Sequence, residues 1–241
     1  QSILEPAQYI EYMKSRGHFP TFAPPKRVIL CYQKSLLDFI TNNHSVTPCD
    51  GFLKKMLFLN DTKNNVAVMG GFGIGSPVAV IAMEELIAFG VKEFISIGTA
   101  GTLHHDVKIG DIILYERAIR DEGSSYHYLP NGKYSYPDES FTKEFSKSLK
   151  ANAVKFHTGT TWTIDSPYRE TVAEAKHYQQ EGVLTVEMEA AALFAVAAYR
   201  KIPIASAFTI SDSLADLKWK PEFHSTETQN GLEKLYQAAI F

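Results

Sequence analysis

Val66-Ala67-Val68-Met69-Gly70-Gly71-Phe72-Gly73-Ile74-Gly75-Ser76-Pro77-Val78-Ala79-Val80-Ile81 is the stretch on which the fold turns. It lies inside the longest uncharged run, Asn64 to Met83, which has the length of about 20 residues that a membrane span needs. Gly70, Gly71, Gly73, Gly75 and Pro77 interrupt that run, and Glu84 and Glu85 follow at once. It therefore reads as strand, glycine turn and helix. Ser76 and Pro77 supply a helix start, N-cap then N1, and the helix carries Val80, Ile81, Leu86 and Ile87 until Gly90 stops it.

The same alternation of short apolar runs and helical spacing extends in both directions. Upstream it predicts a helix from Pro6 to Arg16, a Pro-rich connector from Phe19 to Pro25, a strand from Val28 to Tyr32 and a helix from Ser35 to Asn42. A hairpin of Lys55 to Leu59 and Val66 to Met69 follows, turned by Asn60-Asp61-Thr62-Lys63-Asn64. Downstream, strands are expected at Glu93 to Ile97, Asp111 to Ile119, Val154 to Thr158, Val183 to Val186 and Ile204 to Ile210. Helices are expected at Glu139 to Lys150, Arg169 to Gln180, Glu189 to Tyr199 and Glu227 to Ala239. This order predicts an α/β protein: a single-domain three-layer sandwich over 1–241, with a central mixed, mostly parallel β-sheet flanked by helices.

With 45% hydrophobic and 21% charged residues, the 241-residue chain has globular composition, which excludes a disordered, collagenous or coiled-coil protein. Its 24 basic and 27 acidic residues leave a net charge of −3, so no basic field draws in nucleic acid or an anionic membrane. An anionic ligand must be held by a local site. Cys31 and Cys49 have no C-x-x-C spacing, which argues against a disulfide framework or a zinc site and for a reducing compartment. Gln1 to Gly17 has no basic segment leading into an apolar one. A cytoplasmic protein is the expectation.

Six places offer chemistry. Gly70 to Ser76 lies between a strand and a helix N-terminus, where backbone N–H groups can receive an anion or simply permit a tight turn. Gly98-Thr99-Ala100-Gly101 sits at a strand's C-terminal end, where open α/β sheets place ligands, and is either a polar cradle or a turn. Val186-Glu187-Met188-Glu189-Ala190-Ala191 sets two acids between an apolar strand and an apolar helix. Paired carboxylates bind the vicinal hydroxyls of a sugar, and the alternative is that Glu189 complements the helix dipole. Asp212, in Thr209-Ile210-Ser211-Asp212-Ser213, is a proton donor if its pKa is raised, or else a turn former. Arg120 and His127 are either ligand contacts or part of a surface or subunit-contact loop, and Trp162 and Tyr168 are aromatics that either stack on a base or pack the core or a lid.

In this order the motifs resemble the nucleoside phosphorylase-I family, which includes purine nucleoside phosphorylase, uridine phosphorylase and the methylthioadenosine nucleosidases. The resemblance runs from about Val66 to Asp212. It rests on Gly71-Phe72-Gly73-Ile74-Gly75, Ser96 to Gly101, Gly110-Asp111-Ile112, Val186 to Ala191 and Ser211-Asp212. It implies that Met188 and Glu189 line the ribose, with Glu189 on its 2′ and 3′ hydroxyls. Glu187 would lie near the base or ribose, with Trp162 and Tyr168 on the base. Thr99 would stand at the junction of ribose and phosphate, with Gly73 beside the phosphate and Arg120 a candidate to replace the family's own phosphate arginines. Asp212 would be the acid of the purine branch, protonating N7 so that the base leaves as the sugar gains oxocarbenium character.

Two departures stand out. The family's phosphorylases have an arginine where this chain has Ser96, and a Gly-Asp-Pro segment followed by arginine near the first strand, where this chain has none. Serine cannot reproduce a bidentate arginine. Either Arg120, Lys26, Arg27 or Arg169 takes that part, or the nucleophile is water. The expected activity is phosphorolysis of purine nucleosides to free base and ribose 1-phosphate. The alternatives are a nucleosidase and a non-catalytic nucleoside-binding protein. Inorganic phosphate is the expected co-substrate, with no other cofactor and no metal. A homo-oligomer, dimer or hexamer, is expected by analogy.

Overall fold

The computed structural model describes residues 2–20, 22–49 and 56–241. Seven helices occur among them: α1 (Pro6–Ser15), α2 (Lys34–Asn43), α3 (Ser76–Phe89), α4 (Glu139–Ala151), α5 (Val172–Gln180), α6 (Ala190–Arg200) and α7 (Thr226–Ala239). The strands are β1 (Arg27–Cys31), β2 (Val46–Cys49), β3 (Met56–Leu59), β4 (Val66–Met69), β5 (Glu93–Thr102), β6 (Ile112–Asp121), β7 (Tyr134–Ser135), β8 (His157–Ile164), β9 (Thr185–Glu187), β10 (Ile204–Ser213) and β11 (Lys220–Pro221). All eleven join one mixed sheet.

At its centre β4, β1, β5 and β10 run parallel in that order, with Leu30 level with Met69 and Ser96, and Ser206 level with Ser96. The parallel strands are apolar without alternation because both faces are covered. On one face α3 and α6 pack over Val28, Leu30, Phe94 and Phe208. On the other, residues of α2, α4 and α7 cover Ile29, Ile95, Ile97 and Ala205. Helix α6 is buried from Ala190 through Val196 and on to Ala197, which explains why its sequence is apolar all round. The α/β architecture with a mixed sheet between helices follows as expected.

The second half of the sheet bends back on itself. β5 pairs with β10, β10 with β6, β6 with β8, β8 with β9, and β9 with β5. That circuit carries β9 and the residues after it to the C-terminal half of β5, where Val186 lies opposite Gly101.

Several boundaries differ from expectation. Gly98 to Gly101 are not a turn but the second half of β5. A Cβ on Gly98 would stand 2.9 Å from both Phe208 and Tyr32, and one on Gly101 would stand 2.7 Å from Leu214 and 3.0 Å from Asp212. These glycines make room for neighbouring side chains rather than bend the chain. β8 runs eight residues instead of ending at Thr158, and β2, β7 and β11 were not foreseen from apolar runs. The hairpin of β3 and β4 forms as expected from Met56 onward, while Lys55 lies outside the described residues. Gly75 rather than Ser76 caps α3, at φ +97°, and the Ser76 hydroxyl donates instead to the Met188 carbonyl.

Candidate active site

Because β1, β4, β5 and β10 are parallel, their C-terminal ends share one edge, and that edge collects the polar residues. β1 delivers Tyr32 and Gln33, β4 the glycine turn, β5 Ser96 and Thr99, and β10 Ser211 and Asp212. β9 arrives from the other side of β5 with Glu187, Met188 and Glu189.

The two glutamates do different things. Glu187 is buried and turned inward: its Oε2 accepts the backbone N–H groups of Glu189 at 2.8 Å and Ala190 at 2.7 Å. Its Oε1 accepts the Thr163 hydroxyl. It therefore satisfies orphan donors at the start of α6. The base contact expected of Glu187 is revised accordingly: both of its oxygens are engaged by the helix and by β8. Glu189, the residue before α6, instead reaches across to the glycine turn, where its Oε1 accepts the Gly75 N–H at 2.5 Å. Burial pushes the Glu189 carboxyl up, the Glu187 charge pushes it further, and the Gly75 N–H opposes both. Burial likewise raises Glu187, with the Thr163 and backbone donors opposing.

Asp212 closes the other end. Ser211 Oγ donates to its Oδ1 at 2.8 Å and Trp219 Nε1 to its Oδ2 at 3.0 Å. At 8% exposure, desolvation raises its pKa against those two donors. Glu170, just after the Pro167–Arg169 turn, is pushed up to about 7 by burial and by the Asp212 charge. A second carboxyl therefore borders this end.

The same edge carries neutral polar pairs. Tyr32 OH and Ser96 Oγ share a 2.9 Å hydrogen bond, and Gln33 Nε2 donates to Thr99 Oγ1 at 3.0 Å. Gln33 Oε1 is buried without a protein partner. Burial holds the Tyr32 hydroxyl protonated, and the Glu189 charge reinforces it.

Other expected contacts fall elsewhere. Trp162 is 0% exposed within β8, with its Nε1 bonded to Asp121 and its ring on Tyr178, so it packs the core rather than facing a base. Tyr168 is 100% exposed. Arg120 is buried, and its three nitrogens donate to Ser125 Oγ and to the carbonyls of Pro130 and Leu129. It holds the loop after β6 and is committed there, which corrects its expected part in anchoring phosphate. Lys26 and Arg27 pair with Glu93 at the N-terminal end of β1, away from the site edge. His127 lines a separate cavity of about 430 Å³ with Glu84, Tyr128 and Arg200. Among the described residues no cluster of three His, Cys, Asp or Glu is placed to hold a metal ion, and no helix is long and apolar enough to cross a membrane.

Tyr32, Gln33, Glu170 and Trp219 were given no role by sequence reasoning. They reach the site from three separate segments, and no spacing links them to the motifs.

Comparison with known proteins fits this arrangement. The profile described as phosphorylase superfamily matches residues 43–239. A purine nucleoside phosphorylase of the DeoD type from Streptococcus gordonii is 30% identical over 211 residues, 79% of this chain and 85% of its own. A guanosine phosphorylase from Halorubrum lacusprofundi is 32% identical over 142 residues, and the match spans 59% of each protein. Among solved structures, purine nucleoside phosphorylase from Toxoplasma gondii superposes with a TM-score of 0.77 at 18% identity, covering 90% of this chain and 89% of that one. AMP nucleosidase from Bacteroides thetaiotaomicron gives 0.77 at 23% identity, covering 97% and 96%.

Proposed function

The chain belongs to the phosphorylase superfamily, and on that premise we propose that it is a nucleoside phosphorylase, splitting purine nucleosides with phosphate into free base and ribose 1-phosphate. One observation carries the reading: two buried carboxylates, Glu189 on the glycine turn after β4 and Asp212 near the end of β10, belong to the strand edge that also carries the neutral Tyr32–Ser96 and Gln33–Thr99 pairs. In this proposal Glu189 accepts the 2′ and 3′ hydroxyls, Met188 lies along the sugar, and Thr99 stands between ribose and phosphate. The hydroxyl donors that arrive with the sugar favour ionised Glu189, whose charge then stabilises C1′ as it becomes cationic. Asp212 gives its proton to the purine N7, the electron pair of the glycosidic bond leaves with the base, and a phosphate oxygen bonds to C1′. Gly73 and its neighbours, with the N-terminus of α3, supply N–H groups to the phosphate.

Inorganic phosphate is the co-substrate, and the proposal needs no metal or organic cofactor. A cytoplasmic setting and a homo-oligomer belong to the same proposal. Exposed Ile3, Leu4, Tyr12 and Ile81 on and around α1 and α3 support self-association, and light scattering at micromolar concentration tests it, a monomer counting against it. The main test is the initial rate on inosine, adenosine, guanosine and uridine from zero to millimolar phosphate, with ribose resolved from ribose 1-phosphate. Saturable dependence with ribose 1-phosphate as product is expected.

A second reading, hydrolysis by water, is favoured by one feature. The position where the resemblance expects a phosphate arginine holds Ser96, fully buried and bonded to Tyr32. A flat phosphate dependence with ribose as product would establish it in place of phosphorolysis.

A further inference from the structure

Trp219 combines two properties that seldom occur together. Its ring is 62% exposed, yet its one polar atom is bonded to a nearly buried carboxylate 3.0 Å away. The segment that carries it is tied down on both sides. Leu214 N–H donates to the Thr102 carbonyl and Glu222 N–H to the Ser211 carbonyl, each at 2.8 Å. β11 then pairs antiparallel with the end of β10, Pro221 opposite Asp212 and Lys220 opposite Ser213. Between these anchors Leu217 takes φ +57°, a left-handed conformation that a β-carbon-bearing residue adopts only when its surroundings hold it there. The chain thus makes a tight, strained return that brings the indole N–H onto Asp212 while leaving most of the ring in solvent.

We propose that Trp219 is the positioning residue of Asp212, fixing the carboxyl's orientation and the oxygen that carries its proton. The inference rests on the reading of Asp212 as the general acid. An indole N–H only donates, so Oδ2 is held as an acceptor in both ionisation states. The transferable proton then belongs to Oδ1, whose other neighbour, the Ser211 hydroxyl, can rotate from donor to acceptor. The other groups around Asp212 do not offer a competing donor. Gly101 of β5 and Leu214 bring no polar side chain, Lys220 of β11 is paired with Asp216, and Glu170, before α5, is a second carboxyl that feels the Asp212 charge, while the side-chain donors bonded to Asp212 are Ser211 and Trp219. Loss of the indole donor removes one of the two hydrogen bonds that favour ionised Asp212, and its pKa then rises.

The experiment compares Trp219→Phe, which keeps a ring and loses the donor, with Trp219→Gln, which keeps a donor and loses the ring. For inosine, Trp219→Phe should lower kcat at least tenfold with KM within twofold, and should move the basic limb of the kcat profile to higher pH. Trp219→Gln should retain more activity than Trp219→Phe. Neither should matter on a nitrophenyl riboside, whose leaving group needs no proton. Equal losses on both substrates, an unshifted profile, or a Gln variant worse than the Phe variant would overturn the assignment. A second readout does not depend on turnover. The chain has two tryptophans, and Trp162 is enclosed, so the solvent-exposed emission reports Trp219 and should titrate in the wild type but not in Asp212→Asn. A wild type inert toward every nucleoside would remove the acid reading itself. Emission without that pH difference would independently overturn the coupling.

Discussion

The two glycine clusters at the site look alike in sequence and do opposite things. In the turn after β4, Gly73 and Gly75 hold φ of +111° and +97°; the residues are there for conformation, and Gly75 spends its N–H on Glu189. In β5, Gly98 and Gly101 are ordinary strand residues, and they are there for space, because Phe208, Tyr32, Leu214 and Asp212 occupy the volume a side chain would need. One cluster aims the Glu189 carboxylate and the other leaves room for that of Asp212. The lesson is that a glycine motif specifies a site in two ways, by bending the backbone toward a group or by yielding to it.

The comparison is broken most severely by removing the carboxylates that the clusters serve. Asp212→Asn should cut turnover of purine nucleosides by about 1,000-fold or more while sparing a nitrophenyl riboside, since only the former needs the proton; equal loss on both would make Asp212 structural. Glu189→Gln should lower kcat/KM about 100-fold on both substrates, because both build positive charge on the sugar. A variant near wild-type values would end the ribose assignment.

The glycines themselves come next. Gly75→Ala should cost about 1–3 kcal/mol through strain at φ +97°, and Gly101→Ala about 1–3 kcal/mol through overpacking. Their kinetic signatures should differ. Gly75→Ala should slow the nitrophenyl riboside as much as inosine, whereas Gly101→Ala should slow inosine alone, by about tenfold. Identical substrate profiles would collapse the distinction between aiming and yielding.

Glu187, whose oxygens accept the start of α6 and Thr163, supplies a control for the packing of the site. Glu187→Ala leaves the buried N–H groups of Glu189 and Ala190 without their acceptor, a loss of about 2 kcal/mol. For a chain of this size that lowers Tm by about 4–8 °C, and a thermal melt checks it. The smallest effect is in pH. Because Glu189 titrates above its unfolded value, the stability it contributes is complete below the ordinary glutamate range and is lost as pH rises through the raised pKa. Between pH 5 and pH 9, Glu189→Gln should therefore lose less Tm than the wild type. A parallel decline in both would show that this carboxyl is not the source.

Much of this was legible in the chain. The run from Val66 to Ile81 gave strand, turn and helix, and the acids at 187, 189 and 212 marked the site. The division of labour between Glu187 and Glu189 was not legible, since two acids one residue apart read alike until a helix axis is placed between them. Trp162 misled because Thr160-Thr161-Trp162-Thr163-Ile164-Asp165-Ser166-Pro167-Tyr168-Arg169 reads as a loop that could present an aromatic to a base. Each threonine hydroxyl at 160, 161 and 163 has a partner inside the sheet, and β-branched threonine is a strand former. That was the signal available. Tyr32, Gln33 and Trp219 left no such signal, because their roles come from tertiary return of the chain and not from any local pattern.

The circuit that binds β5 to β10 also sets an order of assembly. β5 waits for a partner that lies about a hundred residues later in the chain, so during synthesis it stands as a long, apolar, unpaired edge until β10 arrives. Pairings of that separation form slowly, and exposed edges of that kind associate with one another. Asp212 sits on the strand that ends the wait. Asp212 therefore joins the polar edge of the sheet only as the sheet is sealed, and a chain interrupted before β10 should leave the β5 edge open to self-association.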